Sequence, residues 1–539
     1  MVTLTHLPPE IVHNILSYVD PEDLASLCLT CRYFSNYVPG NRALWRDIYH
    51  NLLDEPPTND LDWESELHDL TRLRHICRRK GTDKRNELPF VYETVTRLLK
   101  HSASSSSSSS RPQSSSGCSS GVGVSVGGRC SRSVTYPPSR NTAILSSLFR
   151  KEANREAFLS RSLIFERARG EANRFSDPPK AEHQMSAKLH SLYGMPQLKL
   201  GRTRSSRLYP FAVSKVYDLR QYTEESLWGP FIADRSGRVD WEKIEAILLV
   251  LRSNIKDKNL DTFPIFSNYW NVPYAGAWPG AYVPWPPDRE RTELDKRDPY
   301  DVSGTWLRVI CFLDYNDFFR YNFPVSDDLP ANVPRPALDV GEATRLILMK
   351  IHVTKIEEDD KRGGGPVTTH FKGFSRSLDG SWDENANSDL RGMCRMTPEG
   401  EVRWTTWSIF SGEERWRSEG IQLGGVRSSR GVVGNWFDKD YDPQGPVGPT
   451  AFWKVSDREP NSDDQQVLLH DFLPIVDGYE DTEDHDHDHD HEGPGGELEM
   501  DLFDVEDGLH SEHHHHHHHH HLMEVMPRTF SDDDDDDDE

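Results

Sequence analysis

The first fifty residues place their apolar side chains at the spacing of short amphipathic helices. In the first helix these positions recur at i, i+4, i+5 and i+8, and they are occupied by Ile11, Ile15, Leu16 and Val19. Asp20-Pro21 ends this helix, and the Asp20 side chain is placed to cap the second one. A third helical stretch starts near Arg32, is interrupted at Pro39-Gly40 and resumes towards Tyr49. The pattern therefore predicts a small unit of three helices over residues 1–50.

The helical period continues beyond this unit. It predicts a helical extension over residues 51–101 and a mixed helical segment over residues 141–300. The mixed segment opens with an amphipathic helix over residues 141–174. Tyr209 to Tyr222 is rich in valine and aromatic residues and is typical of a strand. Trp241 to Arg252 is helical, with the preceding aspartate as its cap.

Residues 102–140 interrupt the helical pattern. Ser104 to Ser110 are seven consecutive serines, and Ser/Gly repeats follow them. A segment of this composition cannot bury enough apolar surface to offset its ordering entropy, so we predict a disordered linker. Its length leaves two arrangements open: it separates two folded units, or it is an insertion within one.

Residues 301–456 change to the short apolar runs and Gly-rich turns of β-strands. The clearest runs are 305–313, 345–356, 371–374, 402–410 and 416–423. Trp404 and Trp407 lie on opposite faces of one run, so both of its faces are expected to be covered, as in a barrel wall. We predict a mostly antiparallel β-barrel or sandwich, and hence an α+β multidomain chain.

The acidity of the chain is concentrated in its last part. The net charge is −26, but 30 of the 88 acidic residues and two of the 62 basic residues lie in residues 457–539. The remainder has 58 acidic and 60 basic residues. This nearly neutral body gives no field for nucleic acid or an anionic membrane, so neither is an expected partner. The last part itself is predicted to be a disordered, acidic, His-rich tail.

Cysteine content and hydropathy predict a protein of the cytoplasm or nucleus. The seven cysteines are scattered, without the spacing of a disulfide framework, which favours reduced thiols. No basic stretch followed by an apolar one marks a signal peptide, and the longest aliphatic run, residues 244–251, is too short to span a bilayer.

The N-terminal helical unit resembles the F-box family. The resemblance is carried by the run Leu7 to Leu24 with its leading Leu-Pro, and by Leu27, Cys31-Arg32-Tyr33-Phe34, Leu44-Trp45 and Ile48-Tyr49. It implies a three-helix F-box that docks on a Skp-type adaptor, which joins a cullin scaffold and a RING subunit. The residues that it assigns to the adaptor interface or to its support are Leu7, Pro8, Ile11, Ile15, Leu16, Leu24, Leu27 and Trp45.

The strand-rich part resembles the receptor region of many fungal F-box proteins and, more distantly, the β-barrel of the human F-box receptor of cyclin D. Gly304-Thr305-Trp306, Gly431 to Asp438 and Gly445 to Lys454 carry this likeness. It implies a domain that binds an unknown client protein. Arginine suits carboxylate or phosphate recognition and tryptophan suits binding hot spots. The candidate client contacts are therefore Trp382, Arg391, Arg403, Trp407, Arg427, Arg430 and Trp436.

No motif of a catalytic site is present, so we expect a non-catalytic receptor subunit without a cofactor. One alternative is a metal-buffering protein, because histidines alternate with aspartates in the tail and nine more form a run. This would be nonspecific metal binding, through His485, His487, His489 and His491. Another alternative is a small-ligand-binding barrel whose F-box serves the protein's own turnover.

Overall fold

The computed structural model describes most of the body of the chain. The described residues are 4–103, 139–170, 181–196, 208–282, 291–324, 329–331, 333–358, 367–378 and 387–457. Most of the predicted Ser/Gly-rich linker (residues 104–138) and nearly all of the predicted tail (residues 458–539) lie outside them. Within the described part, the chain runs from N-terminal helices into a C-terminal β-barrel.

Four short helices form the N-terminal unit, namely α1 (Pro9–Leu16), α2 (Pro21–Cys28), α3 (Arg32–Tyr37) and α4 (Arg42–Leu52). The third predicted stretch is divided into α3 and α4 at Pro39-Gly40, the interruption expected from the sequence. Asp20 accepts a hydrogen bond from the Glu22 backbone N–H and caps α2, as predicted. The inward faces of these helices share one apolar core, to which α4 contributes Leu44, Trp45, Ile48 and Tyr49.

A second group of helices extends this core. It consists of α5 (Trp63–Arg78), α6 (Leu88–Lys100), α7 (Arg140–Phe149), α8 (Glu152–Phe158), α9 (Leu163–Arg169) and α10 (Ala181–Tyr193). Buried residues of α5 to α8 and the end of α10 lie in the same cluster as the α1–α4 core. The N-terminal unit is therefore continuous with the helices that follow it, and its own small core is supplemented by theirs.

The expectation of one amphipathic helix over residues 141–174 was wrong. The described part of this segment forms three helices, α7, α8 and α9, because polar side chains satisfy the backbone where α7 ends. Asn154 donates to the Leu148 carbonyl at 2.6 Å and Arg155 donates to the Phe149 carbonyl at 3.1 Å. These bonds take the place of the next helical turn.

Asp54 joins the two chain segments that flank residues 104–138. Its Oδ2 accepts hydrogen bonds from the Ala103 backbone N–H at 3.2 Å and from the Ser139 hydroxyl at 2.5 Å. Its Oδ1 accepts a third bond, from the Arg140 backbone N–H, at 2.9 Å. Because the chain leaves and re-enters at one carboxylate, residues 104–138 are inserted within a folded unit.

We expect replacement of residues 104–138 by a four-residue Gly/Ser linker to leave the fold intact. Shortening this segment about ninefold lowers the entropic cost of closing the chain over it, so the free energy of unfolding should be unchanged or up to about 2 kcal/mol higher. Urea denaturation followed by circular dichroism measures it. As the control, Asp54→Ala in the full chain removes the shared anchor and should cost about 1–3 kcal/mol. Loss of the folded state on shortening the segment would contradict the insertion.

Four helices connect this region to the barrel, namely α11 (Tyr209–Val216), α12 (Trp241–Asp257), α13 (Pro264–Trp270) and α14 (Glu293–Arg297). The prediction that Tyr209 to Tyr222 is a strand was wrong, because α11 and a 3-10 turn occupy this segment. Pro210 fits the first turn of a helix, and Ala212, Val213 and Val216 have helical spacing and are buried. Asp240 caps α12 by accepting hydrogen bonds from two backbone N–H groups, as the sequence predicted.

The C-terminal part is a closed barrel of eight antiparallel strands. The strands are β1 (Gly304–Leu313), β2 (Glu342–Glu357), β3 (Thr368–Ser377), β4 (Ser388–Met396), β5 (Val402–Phe410), β6 (Glu413–Gln422), β7 (Val432–Asp438) and β8 (Val447–Ser456), with α15 (Tyr315–Asn322) between β1 and β2. They follow one another in chain order, and β1 closes the barrel on β8. The predicted mostly antiparallel β domain is therefore confirmed as a barrel.

Side chains of alternating strand positions fill the barrel and attach helices to its outside. Trp306, Phe371, Trp404 and Phe452 come from four different strands and meet inside the barrel at ring-centroid distances of 5.0–5.8 Å. On β1 the alternate residues Leu307, Val309 and Cys311 join a second core that contains α11 and α12. Helices thus cover the outer face of β1 and its neighbours.

Helix α10 lies between the N-terminal helices and the helices on the barrel. It packs against α6 on one side and against α12 on the other. His190 on α10 and Glu245 on α12 approach to 2.6 Å, and both side chains are buried. The N-terminal unit and the barrel are therefore connected by packed helices.

Candidate functional site

The N-terminal unit exposes large apolar side chains. The exposed fractions are 47% for Ile11, 42% for Ile15, 77% for Tyr18 and 89% for Leu29. Ile11 and Ile15 are four residues apart on α1, and the neighbouring Val12 and Leu16 face the core. An apolar surface of this kind on a small unit is typical of a protein-interaction site.

The structure divides the eight predicted adaptor residues into three groups. Pro8, Ile11 and Ile15 are exposed, and Leu7 and Leu27 are partly buried. Leu16, Leu24 and Trp45 are buried in the helical core, where the Trp45 indole N–H donates to the Val38 carbonyl at 3.1 Å. The first group is available to a partner, whereas the last group holds the helices that present it.

Sequence reasoning missed Tyr18 and Leu29 as surface residues. Tyr18 follows the last residue of α1 by two positions, and Leu29 is the C-cap of α2. Both lie where a helix ends, so the helical period alone does not indicate which way they point. The proximity of a breaker, Asp20-Pro21 in the first case, is the only sequence signal available.

Ion pairs fix the helices that carry this surface. His13 Nε2 on α1 lies 2.9 Å from Asp47 Oδ2 on α4. Burial acts to raise the pKa of Asp47, but hydrogen bonds from His13 and Arg46 outweigh it and hold that pKa below its usual value. Arg74 on α5 pairs with Asp20 at 2.9 Å, which ties the start of α2 to the next group of helices.

On the barrel, two of the predicted client residues are direct neighbours. Arg391 on β4 and Trp407 on β5 are cross-strand partners, and Trp407 is in turn opposite Arg417 on β6. The Arg391 guanidinium lies 3.9 Å from the centre of the Trp407 ring, and that of Arg417 lies 5.3 Å away. Phe437 on β7 continues this outer row but is buried, whereas Arg391, Trp407 and Arg417 are half-buried.

Arg403 lies on the same outer face but is buried. Its guanidinium donates to Glu419 Oε2 at 2.8 Å, and the Thr405 hydroxyl donates to the same oxygen at 3.0 Å. Arg417 donates to Glu419 Oε1 at 3.2 Å. The fully buried Glu419 carboxylate is thus shared by two arginines.

The remaining predicted client residues are distributed over the barrel. Arg427 and Arg430 follow β6, and Arg430 is buried and donates to the carbonyls of Tyr269 and Gly194. Trp436 lies inside the barrel, where its indole N–H donates to the Cys311 carbonyl at 3.1 Å. Trp382 lies outside the described residues. The structure therefore brings together only Arg391, Trp407 and Arg403.

The arginines of the outer row are already paired with carboxylates. Arg391 pairs with Glu414, and its hydrogen bond is the main reason that the pKa of Glu414 lies below the usual value. Arg403 and Arg417 share Glu419. The row can offer aromatic and guanidinium surface to a partner, but it has little free positive charge for reading phosphate.

The comparison with known families identifies the N-terminal unit. Residues 4–51 match the family described as F-box-like, so the chain contains an F-box-like domain, as the sequence predicted. F-box domains bind Skp-type adaptors, and the proteins that carry them are in general non-catalytic substrate receptors.

No curated protein and no solved structure matches the chain. The fungal origin and the likeness of the barrel to known receptors therefore stay predictions.

Two further features concern only the part of the chain that the structure describes. In that part, none of the helices combines the length and apolar character needed to cross a bilayer. The same residues contain no group of three or more His, Cys, Asp or Glu side chains arranged to hold a metal ion. The tail histidines named above lie outside the described residues.

Proposed function

We propose that this chain is the client-binding subunit of a Skp–cullin–F-box ubiquitin ligase of the cytoplasm or nucleus. The F-box-like domain would dock on the adaptor, and the β-barrel domain would bind the client. The observation that carries the proposal is the exposed apolar surface on residues 4–51, which match the F-box-like family.

The exposure of these residues favours a partner over a free surface. Burial of apolar area stabilises a complex by roughly 25 cal/mol per Å². Ile11, Ile15, Tyr18 and Leu29 leave much of that area in water, although the buried face of the same helices is well packed. A protein adaptor that covers them would recover this free energy.

The connection between the two domains supports proximity as the mechanism. A receptor accelerates ubiquitin transfer by holding a client lysine near the charged conjugating enzyme, so it needs no catalytic residue of its own. A connection of packed helices fixes the distance between adaptor and client better than a random-coil linker does. Here α10 packs between α6, beside the F-box-like domain, and α12, on the barrel.

The two alternative functions gain no support from the described residues. The histidines required for metal buffering lie outside them. A small-ligand barrel needs space in its interior, but four aromatic side chains already pack together there at one level. Client binding through the barrel domain is favoured by the aromatic and arginine side chains on its outside, because such side chains are enriched at interaction hot spots.

The proposed function is tested by co-purification of a Skp-type adaptor with the full chain and with a Leu7→Ala, Pro8→Ala variant. Pro8 is exposed and Leu7 is partly buried beside it, so the variant should retain less adaptor. The double substitution Val272→Ala, Pro443→Ala, at exposed positions outside residues 4–51, is the matched control and should retain as much as the unmodified chain. Failure of the unmodified chain to retain adaptor would overturn the proposal.

A further inference from the structure

Helix α15 exposes a continuous aromatic edge. Tyr315, Phe319 and Phe323 are spaced four residues apart and have exposed fractions of 36%, 37% and 37%. The ring centroids of Tyr315 and Phe319 are 6.1 Å apart, and those of Phe319 and Phe323 are 4.8 Å apart. Phe318, on the adjoining side of the helix, is buried in the core between the barrel and its helices. One side of α15 is therefore packed in the core, and the aromatic edge is exposed to solvent.

A cavity of about 280 Å³ continues this edge. Phe323 forms part of its wall, together with Leu219, Trp228, Phe437, Tyr441 and Val447. Trp228 and Tyr441 stack with their ring centroids 3.8 Å apart, which gives the cavity a rigid aromatic side. Its volume is below the roughly 300–1,000 Å³ of small-molecule sites, so it is better suited to one large side chain of a partner.

The charges around the edge and the cavity are predominantly negative. Throughout the described ranges, the carboxylates of Asp314, Asp317, Asp438 and Asp442 have no cationic group within 4 Å. Asp438 ends β7 and Asp442 lies in the β7–β8 turn, and both line the cavity. Asp314 is the N-cap of α15 and Asp317 lies in its first turn, on the flank of the helix away from the aromatic edge.

The basic residues of this surface are partly neutralised. Arg220 and Arg335, which also line the cavity, both pair with Asp218. Arg220 donates further to the carbonyls of Leu329 and Pro330, and Lys439 pairs with Asp440. One Asp218 carboxylate balances only one of the two guanidinium charges of Arg220 and Arg335, so at the cavity the two carboxylates of Asp438 and Asp442 outnumber a single uncompensated positive charge. Arg320 is a further basic residue on α15.

We infer that the α15 edge and the adjoining cavity form the docking site for the client, and that they select a segment with a large apolar side chain flanked by lysine or arginine. The apolar side chain enters the cavity, its apolar neighbours lie on the aromatic edge, and the basic residues face Asp438 and Asp442. This inference rests on the proposed receptor function and names the chemistry of the client. An acidic segment is disfavoured, because it would meet unpaired carboxylates at like charge.

Panning of a phage-displayed random dodecapeptide library on the immobilised full chain tests the inference. The acidic tail also attracts basic peptides. The test therefore uses only those peptides that bind the unmodified chain and no longer bind a Phe319→Ser, Phe323→Ser variant. Val272→Ser, another exposed apolar position, is the matched control and should keep them. We expect the lost peptides to carry a large apolar residue and a net positive charge.

A second pair of variants keeps the result independent of any effect on folding. Asp438→Asn, Asp442→Asn preserves the shape of both side chains, and we expect it to weaken the selected peptides at least fivefold in fluorescence anisotropy. Asp389→Asn, an exposed aspartate on β4, should leave their affinity unchanged. Lost peptides that are acidic, or basic peptides that bind all variants equally, would overturn the inference. Adaptor capture is measured separately, so a failure here is distinguishable from failure of the receptor function.

Discussion

The Ile11→Glu, Ile15→Glu variant should lose adaptor binding by at least about 30-fold in isothermal titration calorimetry. Both side chains are exposed on the same face of α1, so glutamates there should leave the helical core intact. In a complex, each carboxylate would be buried without a partner in place of an apolar contact. Interface hot spots contribute about 2 kcal/mol or more, which corresponds to this loss in affinity.

The control for this experiment is Val272→Glu, which adds a charge at an apolar position of similar exposure outside the F-box-like domain. It should bind adaptor as the unmodified chain does. Tyr18→Ala and Leu29→Ala extend the test to the two exposed residues that sequence reasoning missed. Adaptor affinity that is unchanged by the Ile11→Glu, Ile15→Glu substitution would place the interface elsewhere.

The second large effect is expected at Glu419 in the barrel wall. Glu419→Gln removes the charge of a fully buried carboxylate that is shared by Arg403 and Arg417. Removal of one partner from a buried ion pair leaves an uncompensated buried charge and costs about 3–5 kcal/mol. We expect the free energy of unfolding to fall by about 3 kcal/mol, as measured by urea denaturation.

Glu414→Gln is the matched control, because it lies on the same strand and pairs with Arg391. Both of these side chains are about a third exposed, so water screens the charge left behind. Pairs of this kind contribute about 0–1 kcal/mol, and the control should fall within that range. An equal effect of both substitutions would show that burial does not determine how much the Glu419 cluster contributes to the free energy of unfolding.

The F-box-like helices were predictable because their signals are local. Asp20-Pro21 and Pro39-Gly40 mark the helix ends, and the apolar period between them gives the buried face. The exposed face was harder to assign, since an apolar residue beyond a helix end, such as Leu29, follows no period. Leu24 and Trp45 resemble interface residues in the sequence, but they lie in the core.

The sequence predicted a mostly antiparallel β domain, but it did not decide whether the sheet closes into a barrel. Alternation along residues 402–410 correctly placed Trp404 and Trp407 on opposite faces of the wall, and the structure shows that Trp404 is the one inside. Closure depends on the pairing of β1 with β8, which are more than a hundred residues apart in the chain, and no local pattern carries that information. Tyr209 to Tyr222 was misread because valine and aromatic residues favour strands, whereas packing against α12 makes the segment helical.

The candidate client residues show that composition alone does not separate exposed side chains from those that hold the barrel together. Arginine and tryptophan occur at hot spots, but Arg403 and Arg430 use their guanidinium groups to hold the barrel and its helices together. The α15 edge drew no attention in the sequence, because aromatic residues four apart in a helix usually indicate a core. Only the burial of Phe318 beside the exposed Phe319 reveals which side of α15 is free.

The most direct test of the receptor function is a size-exclusion experiment with purified chain, Skp-type adaptor and cullin scaffold. We expect the chain to comigrate with the cullin when the adaptor is present and not when it is absent, and we expect Ile11→Glu, Ile15→Glu to abolish the comigration. A chain that stays separate from the cullin in the presence of adaptor would contradict the receptor function.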